Sequence, residues 1–308
     1  MKATTTQASN SKAMLFLMTP VMILWGALIC LVDDAWILQI LGVLLLSFFM
    51  TQQFILLHEC GHLNFFKGRR INVIVGAVFG FLAGLPFYNW MMMHHLHHKW
   101  TGWRDRDPTT EKTVDPSASS VVNVIANISW VIFFPIFYMV YHVSNYWDLK
   151  KMKRFLRPRE FKLALISTLI YFAGYLLMFF WLSIYWKMIL TISFFLSCIW
   201  RELIILTQHT HVDIPIAGKS EVKPISYHDQ IPYTRSFYMS QWFTKYFLFN
   251  FNLHEAHHAY PGLPAYYLDE INLNLEKSPS YKDWLMKAKS LSGVDFVFKT
   301  NKDTTLKF

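Results

Sequence analysis

The segment FILLHECGH, residues 54–62, sets the terms for the whole chain. A long apolar run ends in it, and two histidines four residues apart, His58 and His62, stand at that end. Residues four apart lie on one helical face with Cβ atoms about 5–6 Å apart, so both imidazoles project the same way. Outward from this point, three more clusters lie beside apolar runs: HHLHH (His94, His95, His97, His98), QHTH (His209, His211) and HEAHH (His254, His257, His258). Eleven of the thirteen histidines fall in these four clusters. Imidazole is a good ligand for iron, copper and zinc, so the pattern points to a site for more than one metal ion at the end of a membrane helix bundle.

The composition agrees. Of 308 residues, 54% are hydrophobic and 18% aromatic, too apolar for an ordinary water-soluble domain. The formal charge of +9 sits between apolar runs, which marks a membrane side and argues against nucleic acid as a partner. The three cysteines (Cys30, Cys60, Cys198) form no CxxC, which argues against a zinc ribbon or a disulfide framework. The first apolar run is too long for a signal-peptide core and has no small-residue cleavage site, so it is read as a retained helix.

A membrane-spanning helix needs about 20 apolar residues. Met14–Val32, Ala35–Leu57, Leu163–Tyr185 and Met188–Thr207 meet that length, with Asp33-Asp34 and Trp186-Lys187 as short joints. The opposite ends carry Lys67, Arg69 and Arg70, then Lys150, Lys151, Lys153, Arg154, Arg157 and Arg159. The positive-inside rule puts the joints outside, and both termini and all four histidine clusters in the cytoplasm. Ile71–Met93 is long enough to span but holds Gly76, Gly80, Gly84 and Pro86, which suits a bent re-entrant pair. Val121–Val143 reads as an interfacial helix, with a six-span topology as the alternative. The expectation is an all-α integral membrane protein with a cytoplasmic helical cap. It divides into an N-terminal tail 1–13, a membrane unit 14–282 and a polar, loosely ordered C-terminal tail 283–308.

His94, His97 and His98 repeat at i, i+3, i+4, and His254, His257 and His258 do the same, so each cluster offers two or three imidazoles from one rigid surface. Two ions with four or five nitrogen ligands each would use about nine histidines. His209 follows directly from the last apolar run and should face the site, with His211 pointing elsewhere. His95 and His211, beside better-placed ligands, are read as residues orienting those ligands or as ordinary hydrogen-bonding histidines, and the isolated His142 and His228 as ordinary hydrogen-bonding histidines. Glu59, Asp105, Asp107 and Glu255 are candidates to accept the free N–H of a ligating imidazole, Asp105 or Asp107 first among them. Arg201 is read as snorkelling from the end of the last span, and the role of Glu202 is left open.

HECGH, HHLHH and HEAHH resemble the three histidine boxes of the integral-membrane fatty acid desaturase superfamily, HxxxH, HxxHH and HxxHH, in the same order. HECGH and the later QHTH are similar to the Δ12-type acyl-lipid desaturases, and HHAYPGLP resembles bacterial members. The resemblance implies a non-haem di-iron centre, O2 and electrons from a separate carrier. Carried over by position, it implies as ligands His58, His62, His94, His97, His98, His209, His254, His257 and His258. It shows no fused cytochrome b5 segment, so the donor is expected to be another protein of ferredoxin or cytochrome b5 type, and the substrate a membrane lipid or other acyl chain. Carotenoid hydroxylases and ketolases and alkane hydroxylases share this design and are the alternative.

Two further classes compete. HECGH and HEAHH also match HExxH, the zinc-protease motif with Glu as general base. That reading leaves HHLHH and QHTH without a role. A metal transporter would place its ligands near the bilayer midplane, whereas these lie at helix ends.

Overall fold

The computed structural model describes residues 7–114, 119–271 and 278–308. Among them the chain is helical: α1 (Asn10–Val32), α2 (Trp36–Gly61), α3 (Arg69–Ala83), α4 (Phe87–Trp100), α5 (Ser120–Val131), α6 (Ile136–Tyr146) and α7 (Leu149–Phe155). These are followed by α8 (Pro158–Trp181), α9 (Ile184–Ile205), α10 (Gln241–Tyr246), α11 (His254–Ala259), α12 (Tyr281–Lys289), α13 (Gly293–Phe298) and α14 (Asn301–Thr304).

Helices α1, α2, α8 and α9 have 23, 26, 24 and 22 residues and are apolar enough to cross a membrane. At 1.5 Å per residue even 22 residues reach about 33 Å, against a hydrocarbon core of about 30 Å. Their outer faces carry large exposed apolar side chains, such as Trp25 and Trp181. The turn before α9 falls at Leu182-Ser183 and not at Trp186-Lys187, because the Ser183 hydroxyl accepts the Trp186 N–H and starts the helix there. Lys187 therefore lies in the first turn of α9.

The two short joints sit at one end of the bundle, where the Tyr185 hydroxyl donates to the Leu31 carbonyl (2.8 Å). From there α2 and α9 run side by side, tied by Ser193 to Val43, Trp200 to Ser47 and Arg201 to Met50. Both thus deliver their C-terminal ends to the same side.

Two helix pairs are bent: α3 and α4 meet at 98°, and α5 and α6 at 115°. The first break falls at Gly84-Leu85-Pro86. Gly84 adopts φ +80°, a conformation side chains disfavour, and its carbonyl accepts from His142 Nε2 and the Trp147 indole. With 15 and 14 residues, each arm of this pair is about 22 Å long, short of a full crossing.

Two expectations are corrected here. Arg201 does not snorkel. It is fully buried, and donates to the carbonyls of Ala83 (2.7 Å) and Met50 (2.6 Å) and to the Tyr138 hydroxyl (3.2 Å). Burial of a guanidinium is tolerated where carbonyls take its donors. Residues 283–308 are not a loose tail. Trp284 and Phe296 are 0% exposed, and Phe296 stacks on Trp130 at 4.9 Å. Trp284 and Ala288, one turn apart, form an apolar face that the surrounding lysines hide from any averaged hydropathy.

Candidate metal centre

All nine histidines expected as ligands converge at the inner ends of α2, α4, α9 and α11. They form two groups, His58, His62, His94, His98 and His257, and then His97, His209, His254 and His258; within each, one nitrogen per residue lies within 4.8 Å of all the others. Helix geometry explains the split. From α4, the i, i+4 pair His94 and His98 enters the first group and His97 the second. From α11, the i, i+4 pair His254 and His258 enters the second group and His257 the first. Each of these helices therefore serves both groups, and the groups adjoin, with the His98 and His258 rings 4.3 Å apart.

The nitrogens crowd in the way ligands of one ion do. Nε2 of His94 lies 3.0 Å from Nε2 of both His62 and His98, and His98 Nε2 lies 3.0 Å from that of His257. In the second group, His254 Nε2 is 2.8 Å from His209 Nε2 and 3.1 Å from His258 Nε2. Metal–imidazole bonds of about 2.0–2.1 Å set at right angles separate their nitrogens by about 3.0 Å. His58 Nε2 is buried with no hydrogen-bond partner.

The opposite ring nitrogens are held from outside. His58 Nδ1 bonds Glu59 Oε1 (2.9 Å), and His97 Nδ1 bonds Asp107 Oδ2 (2.6 Å). His209 Nδ1 bonds the Tyr233 carbonyl (3.0 Å), and His258 Nδ1 bonds Gln230 Oε1 (3.0 Å). A proton fixed on Nδ1 leaves Nε2 unprotonated and free to bind metal. Burial pushes the His209 pKa down to about 3, and burial likewise holds His254, His257 and His258 well below the ordinary range. Neutral imidazole is the ligating form. The donor set, its spacing and its protonation all fit two transition-metal ions.

Of the residues expected to support ligands, two do so. Glu59 bridges His58 and the Ala265 backbone N–H (3.0 Å), joining α2 to the stretch after α11. Asp107 holds His97 and also accepts from the Thr109 backbone and hydroxyl. Burial raises the Asp107 pKa, but His97 and the Thr109 N–H outweigh it and hold the carboxyl below its usual range. The other four point elsewhere. Asp105 accepts from the backbone of Ala217 and Gly218, since alternate residues of the WRDRDP turn face opposite ways. His95 lies on the exposed face of α4 and bonds the Gly61 carbonyl. His211, at φ +60°, bonds Thr304. The Glu255 backbone N–H bonds Ser236, and its carboxylate faces Ser236 and Arg235, away from the imidazoles. His142 is buried and hydrogen-bonded, to Tyr138 and Gly84.

Sequence reading missed Gln230, Tyr233, Thr109 and Trp90. Trp90 stacks on His94 at 4.3 Å. The Asp-Pro-Thr turn signals Thr109, because Asp side chains accept from the N–H two residues on; nothing local marks Gln230.

A cavity of about 550 Å³ reaches both groups, with His58 and His94 of the first and His97, His209 and His254 of the second in its wall. Phe54, Tyr138, Tyr141, Ile205 and Phe251 line it nearby.

Fold and site together define a multi-pass helical protein that gathers nine imidazoles beside an apolar cavity. A family model described as "Fatty acid desaturase" matches residues 34–289, and the chain belongs to that family. It is 33% identical over 75 residues to a fatty acid desaturase of Bacillus subtilis, covering 24% of this chain and 21% of that protein. It is 40% identical over 58 residues to an sn-1 oleoyl-lipid 12-desaturase of Anabaena variabilis (19% and 17%). It is 30% identical over 82 residues to an sn-1 acyl-lipid omega-3 desaturase (ferredoxin) of Nostoc (25% and 23%). The matched stretches span about a fifth of the length of these curated relatives.

Proposed function

We propose that the protein is a membrane di-iron enzyme that introduces a C=C bond into an acyl chain. The observation that carries this reading is the division of nine imidazoles, seven of them buried and two half-buried, into five and four around one largely apolar cavity. Each group would hold one iron, and the pair, when bound, would supply the oxidising chemistry with O2. In balance, CH2–CH2 plus O2, two electrons and two protons gives CH=CH and two waters. The protein's own part is to fix the tautomer and orientation of the imidazoles through Glu59, Asp107, Gln230 and the Tyr233 carbonyl, and to hold the alkyl chain beside them while keeping water out.

The relatives' names favour an acyl chain carried on a lipid as substrate, and one of them names ferredoxin as donor. We take the electron source to be a separate carrier of ferredoxin or cytochrome b5 type. The lysines and arginines between the apolar runs support a cytoplasmic location for the imidazoles. The protease reading is disfavoured by Glu59, whose two oxygens bond His58 Nδ1 and the Ala265 N–H, the hold of a carboxylate that orients a ligand.

Two measurements test the proposal. Elemental analysis of the purified protein should give close to two irons per chain; one zinc and no iron would end it. Gas chromatography–mass spectrometry of lipids from a host with and without the gene should show a new double bond. A new hydroxyl at the same position would reassign the chain to the hydroxylases.

A further inference from the structure

The cavity that reaches the imidazoles has two unlike kinds of lining. One is cationic: Lys112, which is exposed, and Arg104 and Lys151, whose donors are already engaged. Arg104 donates to the Thr113 hydroxyl and to the carbonyls of Thr113 and Phe298. Lys151 donates to the Pro108 carbonyl (2.5 Å) and Asn145 (2.7 Å) and pairs with Glu111 (3.1 Å). Arg104 and Lys151 thus brace loops. The other is apolar: α5 and α6 supply Val122, Ile125 and Val140, which line the cavity and yet are 52%, 47% and 57% exposed. The same two helices present further exposed apolar side chains, Ile128, Val131 and Val143 among them. The cavity therefore opens through an apolar surface.

That surface lies against the spans. The Tyr138 backbone N–H, in the first turn of α6, donates to Glu202 near the end of α9 (2.9 Å), and Arg201 reaches the Tyr138 hydroxyl. The Arg201–Glu202 pair thereby sets α6 beside the last turns of a membrane-crossing helix. Helix α5 is held separately, by the Val294 N–H on Asn127 (2.9 Å) and by Lys289 on the Trp130 carbonyl. The two sides of the opening are thus fixed to different parts of the molecule, α6 to a span and α5 to the C-terminal helices.

The geometry points to a lateral portal between α5 and α6, through which an acyl chain still attached to its membrane lipid passes from the bilayer to the imidazoles. This rests on the desaturase reading for the chemistry, but not for the route. Moving methylenes from an apolar to an aqueous setting is unfavourable, so a sideways path through apolar walls favours a lipid-borne chain over one presented from water.

Matched substitutions test the portal. Ile125 and Ile128 lie one turn apart on α5, 47% and 55% exposed; Val140 and Val143 lie one turn apart on α6, both 57% exposed. Ile125 and Val140 line the cavity, whereas Ile128 and Val143 do not. Aspartate is too short to reach the interface from these sites. Each variant is placed in phosphatidylglycerol–phosphatidylethanolamine nanodiscs with a phospholipid carrying a mid-chain diazirine, irradiated and peptide-mapped. Wild type should be labelled at the interior peptide containing Ile205. Ile125→Asp and Val140→Asp should lose that label by about tenfold or more, a carboxylate being costly for an apolar chain to pass, while Ile128→Asp and Val143→Asp keep it. Ile125→Trp against Ile128→Trp repeats the comparison with bulk, should the charged variants fail to fold. Equal labelling across each pair, no interior label in wild type, or stronger interior labelling from a diazirine acyl-coenzyme A would overturn the portal. The readout needs no turnover, so it separates failure of the portal from failure of the desaturase reading, which the host lipid analysis tests alone.

Discussion

At the scale of single residues the sequence separates neighbours that the site treats differently. Asp105 and Asp107 are equivalent by composition and spacing, but only Asp107 is buried against an imidazole, with His97 Nδ1 2.6 Å away. Loss of such a partner typically costs about 10–100-fold in metal affinity or activity, so Asp107→Asn should lower iron retention by that order. Asp105→Asn should retain iron, since it only caps the backbone at Ala217 and Gly218. Metal analysis after dialysis against a chelator reads the difference, and equal loss in both would show that the 104–110 turn acts as a unit. His209 and His211 give a second contrast. Helix α9 ends at Ile205, so helical phase no longer orients either residue. Their directions are set instead by the Tyr233 carbonyl and by Thr304. His209→Ala should leave fewer than two irons per chain, and His211→Ala should leave the count unchanged. Which histidines cluster was legible from i, i+3, i+4 spacing. Their Nδ1 partners Gln230 and Tyr233 were not, because these come from a stretch without periodicity that is brought in by the fold.

At the scale of elements the spans were readable because their length and hydropathy are set by the bilayer itself. Their ends were less so. Helix α2 runs on through His58 to Gly61, and His62, the residue that caps it, keeps helical backbone angles, which puts both imidazoles on one face. The C-terminal helices escaped because two aromatic residues in a lysine-rich stretch, Trp284 and Phe296, carry the packing while the average is polar. The approach of α2 to α4, which fixes the first imidazole group, depends on a position with no side chain. A Cβ at Gly61 would lie 2.4 Å from the Trp90 ring, which also stacks on His94. Trp90 is 1% exposed and has no space to retreat. Gly61→Ala should therefore push α4 outward, at a cost of about 1–3 kcal/mol for overpacking a tight core. Thermal unfolding in detergent should fall accordingly, together with iron content. Full iron content at wild-type stability would mean that Trp90 moves freely and does not set the α2–α4 distance.

At the scale of the whole molecule, the buried imidazoles tie stability to pH. Burial lowers the His209 pKa to about 3, against about 6.5 for an exposed histidine. Above pH 6.5 neither the folded nor the unfolded state is protonated, and this group contributes no dependence. As pH falls below 6.5 the unfolded chain takes up a proton that the folded chain refuses, so stability is lost progressively down to about pH 3, at about 1.4 kcal/mol per pH unit per such histidine. His254, His257 and His258 shift in the same direction, so their losses add. Metal-free protein should thus melt at steeply lower temperature between pH 6.5 and 5, and a flat profile would show that the imidazoles are hydrated. The remaining expectation is orientation. Tyr185 and Leu31 fasten the two short joints together, so Asp34 and the start of α9 lie at one end of the bundle. Lys67 follows α2 directly, and α2 and α9 run side by side toward the imidazoles, so Lys67 belongs at the other end. If that end is cytoplasmic, as its lysines and arginines argue, single cysteines at Asp34 and Lys187 should react with an impermeant maleimide in intact cells. Cysteines at Lys67 and Lys153 should react only after the membrane is opened. Labelling of Lys67 from outside would place the imidazoles away from a cytoplasmic electron carrier, and the proposed reaction would then need a donor on the opposite face.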